Sequence, residues 1–385
     1  MAQFDFFDLQ TKYSGFLSPL IKVVVDDKDI AEDKGDYLVT DLEVDNTCEF
    51  EASMASFVIY NTYTRPRYNF DYKAVGKYAT IGSTVVISVG YDLSVREVFR
   101  GFISNVGFSL QSNGVPGIRV TCMDIKGAMM SGNYSAQLKA TAYSDAVKEI
   151  LERTVYEKLK SQSAIVSFDG IENTPDKQSG NSGGEGGDNK ASDLYLEMVS
   201  ESDYEFVVKA AKKFNYEFYS LGGNVYFRPA KKNKDILIEL SPLTALIDID
   251  IEYDITGLTG SVEVRNMDVG TNDMFKEKKK LDNLEGKAKS LVSSIEKVYI
   301  DPTIRSKEDA KYRAEYLSND ISYRYGTLRA EFYGIPELSP GYFVRITIIG
   351  EDKPIDFYLT EVRHVVNDDG FRTSVIGKAA KMGTI

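Results

Sequence analysis

The sequence predicts a mainly β protein with α+β insertions: two related antiparallel β-barrels and a connecting α+β region. Three observations predict it. Short runs rich in Val, Ile, Phe and Tyr, divided by turn signals, fill residues 17–130 and return after residue 246. Apolar stripes at helical spacing stand mainly between those blocks. The two β-rich ends also repeat one another's pattern.

In the first block, Leu20–Val25, Tyr37–Val44, Ser56–Tyr60, Thr84–Gly90, Glu97–Leu110 and Gly117–Asp124 read as strands. Asp33-Lys34-Gly35-Asp36, Ser112-Asn113-Gly114 and Pro116-Gly117 read as turns between them. Ile118, Val120 and Cys122 alternate with Arg119, Thr121 and Met123, the period of a strand with one buried face. A closed or nearly closed antiparallel barrel over 1–135 accounts for these runs.

The connecting region, 136–245, opens with a helix. Ser144 is its expected N-cap, and Val147, Ile150, Leu151, Val155 and Leu159 form its apolar stripe. Residues 173–193 read as a flexible Gly-rich loop, since no strand, helix opening or Gly-Lys-Ser/Thr ending makes it a phosphate loop. Ser202-Asp203-Tyr204-Glu205 has the form of a capping box and opens a helix through Phe206, Val207, Ala210, Ala211 and Phe214. Gly222-Gly223 then joins Tyr216–Ser220 to Asn224–Arg228 as a hairpin.

The second barrel, 246–385, contains a helical, Lys-rich insert around 271–325. Within it Phe275–Lys297 holds seven lysines and four acids and reads as a solvated helix. Ser306 opens another helix, with Ala310, Ala314, Leu317 and Ile321 on one face. Leu246–Tyr253, Gly260–Asn266, Leu328–Tyr333, Tyr342–Ile349, Asp356–Val365 and Phe371–Gly377 are the strands.

The repeat is an echo of order and spacing. Gly82…Val85…Ile87…Gly90 corresponds to Gly341…Val344…Ile346…Gly350. Each leads into a matching run, Gly101–Val106 and Phe357–Val362. A turn glycine follows eight residues later in both, Gly114 and Gly370. Duplicated barrels are the reading adopted.

Composition narrows the function. The chain has 385 residues, 58 acids against 46 bases and a formal charge of −12, which disfavours stable nucleic-acid binding and membrane-surface binding. No apolar run approaches the roughly 18 residues of a membrane span, and the amino terminus has no signal-peptide pattern. Two cysteines 74 positions apart, Cys48 and Cys122, make neither a disulfide framework nor a metal knuckle. One histidine, His364, leaves Ser-His-Asp, Cys-His and multi-histidine metal chemistry without their parts; it reads as structural. Glu201 and Asp203 are too close in sequence to face one another on a helix, and capping explains both. Asp26, Asp27, Asp29, Glu32 and Asp33 lack calcium-loop spacing and read as a solvated turn. No catalytic, cofactor-binding or metal residue is therefore expected, and no cofactor.

Four ordered stretches resemble the late control D family, the baseplate hub proteins of contractile phage tails, related to the N-terminal half of the VgrG spikes of type VI secretion. Phe99 and Gly101 lie in a Phe-x-Gly-x-Ile strand, and Glu201-Ser202-Asp203 with Phe206 resembles the family's Glu-Ser/Thr-Asp-x-x-Phe helix. Gly334, Pro336, Pro340 and Gly341 match the turn before its last barrel, and His364 with Gly370 its closing hairpin. These residues are expected to be structural.

The resemblance implies a homotrimeric ring of tube-like barrels that adapts a hexameric tail tube to a trimeric spike. Expected partners are further copies of this chain, the spike, a tail tube or tube-initiator protein, baseplate wedge proteins and a tape-measure protein. VgrG proteins continue into the spike, so a sequence ending at Ile385 implies a separate one. The expected location is the baseplate of a phage tail, tailocin or injection system, after synthesis in a bacterial cytoplasm. The competing readings are a tail-associated cell-wall hydrolase, which needs an acid pair in a cleft or a Cys near a His, and a receptor-binding tail-tip module. Tryptophan, the commonest sugar-stacking residue, is absent.

Overall fold

Alternation decides most of the strands. Gly117–Met123 buries Ile118, Val120 and Cys122 and exposes Arg119, so one face meets a core and the other meets solvent. The computed structural model describes residues 2–34, 36–64, 69–110, 114–174, 196–244, 246–267, 274–302, 304, 306–348 and 353–384. Most of the expected Gly-rich loop, from 175 to 193, lies outside the described residues.

The first block contains α1 (Phe6–Lys12), β1 (Pro19–Val25), β2 (Lys28–Asp29), β3 (Leu38–Thr47), β4 (Met54–Tyr60), β5 (Tyr63–Thr64) and β6 (Asn69–Phe70). It continues with α2 (Tyr72–Tyr78), β7 (Thr84–Tyr91), β8 (Ser94–Ser109) and β9 (Gly117–Met123). The middle holds α3 (Ile125–Met129), β10 (Tyr134–Gln137), α4 (Tyr143–Leu151), α5 (Thr154–Ser161), β11 (Ser167–Ile171), β12 (Glu197–Glu201), α6 (Asp203–Phe214), β13 (Tyr216–Leu221) and β14 (Asn224–Pro229). Then come β15 (Ile236–Leu240), β16 (Leu246–Tyr253), β17 (Ser261–Met267), β18 (Met274–Lys280), α7 (Gly286–Val292), β19 (Glu296–Ile300) and α8 (Lys307–Ser322). The chain closes with β20 (Gly326–Tyr333), β21 (Phe343–Ile346), β22 (Ile355–Asn367) and β23 (Gly370–Ala379).

The protein is mainly β, and its two β-rich ends meet edge to edge. A 13-stranded sheet runs β16-β20-β23-β22-β3-β4-β9-β8-β7-β1-β2, with β21 also on β22 and β15 on β21. Only β15–β21 is parallel in it. Val44, Phe57 and Val120 from one end share a connected core with Leu328, Phe357 and Val375 from the other. A second core lies under α4 and α6, and a third lies between α8 and the small β18-β17-β19 sheet.

The echo in sequence is an echo in register. Val85 pairs with Gly101, and its counterpart Val344 pairs with Phe357. Ile103 pairs with Cys122 before the register shifts past Ser104; Leu359 pairs with Gly377 before the same shift past Thr360. Both bulged residues hydroxyl-bond the opposite strand, Ser104 Oγ to Thr121 O at 3.1 Å and Thr360 Oγ1 to Ile376 O at 3.3 Å. A bulge inserts one residue and pins the register around it, so two bulges at one equivalent site are a conformational repeat.

Three local expectations are corrected. Ser144 is not the N-cap: Ala142 occupies that position, and Thr174 Oγ1 accepts the Ser144 amide at 2.9 Å instead. The single helix through Leu159 is two, α4 and α5, separated at Glu152 and Arg153, and this leaves Val155 exposed. Met274–Lys280 is a strand rather than part of a solvated helix. Phe275 packs against the core under α8 and β17 while acids nearby balance the lysines, Lys278 on Glu296 at 2.6 Å and Lys279 on Glu315 at 3.7 Å.

Candidate functional site: the strand junction and the clusters around it

The β3–β22 junction joins the two ends. Glu361 pairs with Thr47, His364 with Val44 and Val366 with Leu42. On the solvent face Arg363 lies 2.6 Å from Glu43 and 3.5 Å from Asp45. Burial pushes the Asp45 carboxyl up to about 6 against the pull of Arg363, with Glu43 adding to the rise. That face opens into a groove of ≈ 710 Å³ across β3, β16, β20, β22 and β23. Asp45, Glu51, Asp248, Asp250, Glu331 and Glu361 line it against Arg329 and Arg363, so it is acidic.

Beneath the junction His364 is fully buried. Its Nδ1 lies 3.0 Å from Thr373 Oγ1, which accepts the Ile335 amide at 3.0 Å. The threonine hydroxyl links the ring to the Ile335 amide, and the ring also meets the Leu338 backbone of the same turn. Burial lowers its pKa to about 4. The ring is neutral, closed off from solvent and holds the closing hairpin to the 334–341 turn. Gly370, at φ +102°, makes that hairpin's turn.

The other motif residues fall into three places. Gly334 packs so tightly on Phe371 that an added Cβ would lie 2.1 Å from its ring, and its carbonyl accepts from Tyr91 Oη at 3.0 Å. Pro336 and Pro340 are buried in the same turn, and Glu337 between them accepts from Tyr13 Oη at 2.8 Å. Phe99 is in the shared core, and Gly101 meets β9 where a Cβ would lie 2.1 Å from Met123 O.

Gly341, with φ +84°, sits over a buried network where β13 and β14 meet β22. Glu217 accepts from Arg228 Nε at 2.7 Å and from Tyr358 Oη at 2.5 Å, and Arg228 Nη2 donates to Tyr219 Oη at 2.6 Å and Gly341 O at 3.3 Å. Burial foremost, then neighbouring groups including Glu217, holds both phenols well above the usual range. Sequence reasoning missed this network although a signal existed. A hairpin centred on Gly222-Gly223 places Glu217 opposite Arg228.

The Glu201–Phe206 stretch stands apart in the core of the connecting region. The capping box between Ser202 and Glu205 is present. Capping does not account for the two other acids. Asp203 is fully buried on Arg153 and on Tyr156 Oη at 2.7 Å, and Glu201 pairs with Lys209 at 2.7 Å. Phe206 packs on Tyr143, and Tyr204 Oη reaches Phe50 O at 2.9 Å across to the first block.

The remaining candidates are locked into packing. Cys122 is in the core and Cys48 Sγ faces Leu359 O at 3.5 Å; burial pushes both thiols up, away from thiolate chemistry. Asp26 accepts the Thr84 amide at 2.9 Å, Asp29 pairs with Lys22 at 3.3 Å, and Asp33 holds Lys77 and Tyr78. Among the described residues no three His, Cys, Asp or Glu side chains gather as a metal site.

A tail protein from Neisseria meningitidis MC58 superposes with TM-score 0.65 at 14% identity, over 94% of this chain and 97% of that one. The 43 kDa tail protein of prophage MuSo2 from Shewanella oneidensis gives 0.65 at 11%, over 94% and 99%. The fold is that of phage tail proteins. An E. coli type VI secretion component, itself described as similar to T4 bacteriophage tail proteins, gives 0.53 at 12% identity, over 94% and 78%. These neighbours have the fold expected of a tail baseplate or VgrG-like protein. No protein-family model matches the sequence, and no curated protein does.

Proposed function

We propose that this protein is a structural baseplate hub of a contractile tail or tail-like injection system. In this reading it forms a homotrimeric ring that joins a hexameric tail tube to a separate trimeric spike. The observation that carries the reading is the repeated strand-bulge-strand unit at the two ends of the chain. Three chains with two like units present six similar surfaces on one side and keep true threefold symmetry on the other, which is what a symmetry adaptor needs.

The chemistry supports a structural rather than catalytic role: the one histidine is buried and neutral, and both thiols are buried. Wedge and tape-measure proteins are the further partners in this reading. No helix among the described residues is long and apolar enough to cross a membrane. Residues 1–135 and 246–385 act as the two tube-like units, with β15 of the 136–245 stretch added to the second of them, and the rest of 136–245 links the two. An electron-microscopy map of the assembled particle tests this. Three copies between tube and spike are expected; a position at the fibre tips, or any other copy number, refutes it.

A further inference from the structure

One edge of β22 has two partners in succession. Ile355–Tyr358 pair with β21, and beyond the bulge Glu361–Val366 pair with β3. β8 is the counterpart of β22, and β7 covers it from Ser94 to Phe102. Past the bulge at Ser104, no described strand pairs with that edge from Asn105 to Ser109. Phe108 and Leu110 are 53% and 61% exposed there, whereas their counterparts His364 and Val366 are buried. Phe70 meets Phe108 edge-on, ring centroids 5.2 Å apart, but its hairpin does not pair with β8.

The absent partner has a counterpart too. Val44 pairs with Ala55, which pairs with Cys122; in the same relation Ile251 pairs with Leu328, which pairs with Gly377. β16 is therefore the second copy of β3. It pairs with β20 only, and its other edge has no partner among the described strands. Ile249, Ile251 and Tyr253 are half-buried along it, and Tyr253 Oη is buried without a hydrogen-bond partner.

We propose that β16 of one copy pairs antiparallel with the open edge of β8 in a second copy, repeating between chains the β3–β22 junction found within each. The proposal rests on the ring-forming hub reading and names the contact that closes the ring. Transferring the register sets Val106 opposite Tyr253, Gly107 opposite Glu252 and Phe108 opposite Ile251. The two edges occupy different parts of one chain, so the contact is head-to-tail, the kind that generates a ring when its rotation closes. Within the chain, Arg363 bonds Glu43 and Asp45. Between chains its counterpart is Gly107, facing the corresponding acids Asp250 and Glu252. The interchain copy lacks the ion pairs and is the weaker of the two.

Two variants test this on the full chain. Gly107→Cys with Glu252→Cys places thiols on opposed residues, and Gly107→Cys with Asp248→Cys offsets them by roughly 13 Å along the strand. Cys48 and Cys122 are buried and do not compete. Oxidation, at high protein concentration and in assembled particles, should give covalent dimers and trimers with the first pair and not the second. Gly107→Arg should tighten self-association about three-fold, lost at high salt, as an exposed ion pair does. An added Cβ at Gly107 meets only Arg119 Cβ, at 4.0 Å. Rings that form without the 107–252 bond overturn the strand pairing and leave the hub reading intact. A chain that is monomeric under every condition, with Gly107→Arg equally monomeric, overturns both.

Discussion

Truncating Glu217 to alanine removes the acceptor on which two parts of the chain converge. Its side chain is about nine-tenths buried, receives Arg228 at 2.7 Å and Tyr358 at 2.5 Å, and takes the Lys231 amide at 3.3 Å. Breaking one partner of a buried ion pair costs about 3–5 kcal/mol, because the other charge stays buried without compensation. Arg228 is mostly buried and keeps no carboxylate, only Tyr219, the Gly341 carbonyl and the face of the Tyr226 ring. About 4 kcal/mol is therefore expected for Glu217→Ala. Tyr358→Phe removes one charge-assisted bond, at about 1.5–3 kcal/mol. The double variant should cost clearly less than the sum, since Tyr358 has already lost its carboxylate acceptor once Glu217 is gone. Urea unfolding followed by tyrosine fluorescence serves as the assay, given 25 tyrosines and no tryptophan. A loss under about 1 kcal/mol for Glu217→Ala, or strictly additive losses, would refute the network's place in holding the connecting region to β22.

Acid should weaken the protein through His364. Its folded pKa of about 4 lies below the ordinary 6.5, so the unfolded chain binds the extra proton between those values. That part of the stability is complete above pH 6.5 and falls by about 3 kcal/mol as pH drops to 4. His364→Gln should flatten the slope in this window, although Asp45, raised to about 6, bends the profile the other way between its usual value and 6. Gly334→Ala should cost about 1–3 kcal/mol or more from overpacking against Phe371, while Gly370→Ala strains only an exposed turn. Thermal melts of the two variants that coincide would contradict the tight approach at Gly334.

Much of the sheet was legible because its code is local. Val85, Ile87, Gly101 and Val362 sit in runs whose period and spacing show in one dimension, and the echo between them proved to be one of register. What escaped depends on partners far along the chain. Asp203 looks like any acid in a first helical turn, yet its bonds go to Arg153 and Tyr156, supplied about 50 residues earlier. Lys276–Lys280 reads as a solvated run by charge count, but Glu263, Glu296 and Glu315 come from three other elements and make a strand there tolerable. Ser144 has the chemistry of a cap, and Thr174 took over the amide it would have freed. The junction itself was not foreseen, because nothing local tells β3 that its neighbour is β22.

That junction also sets a timetable for synthesis. Cys48, at the end of β3, lies 311 residues ahead of Leu359 on the strand that completes its edge. At the usual pace of translation, the interval between them is on the order of tens of seconds. Throughout it β3 stands beside β4 with its outer amides and carbonyls unpaired, in a cell making many copies at once. A nascent chain in that condition is open to pairing with its neighbours' edges rather than its own last strands. Expression temperature and chaperone supply should therefore govern the yield of folded protein more than the stability of the finished molecule does.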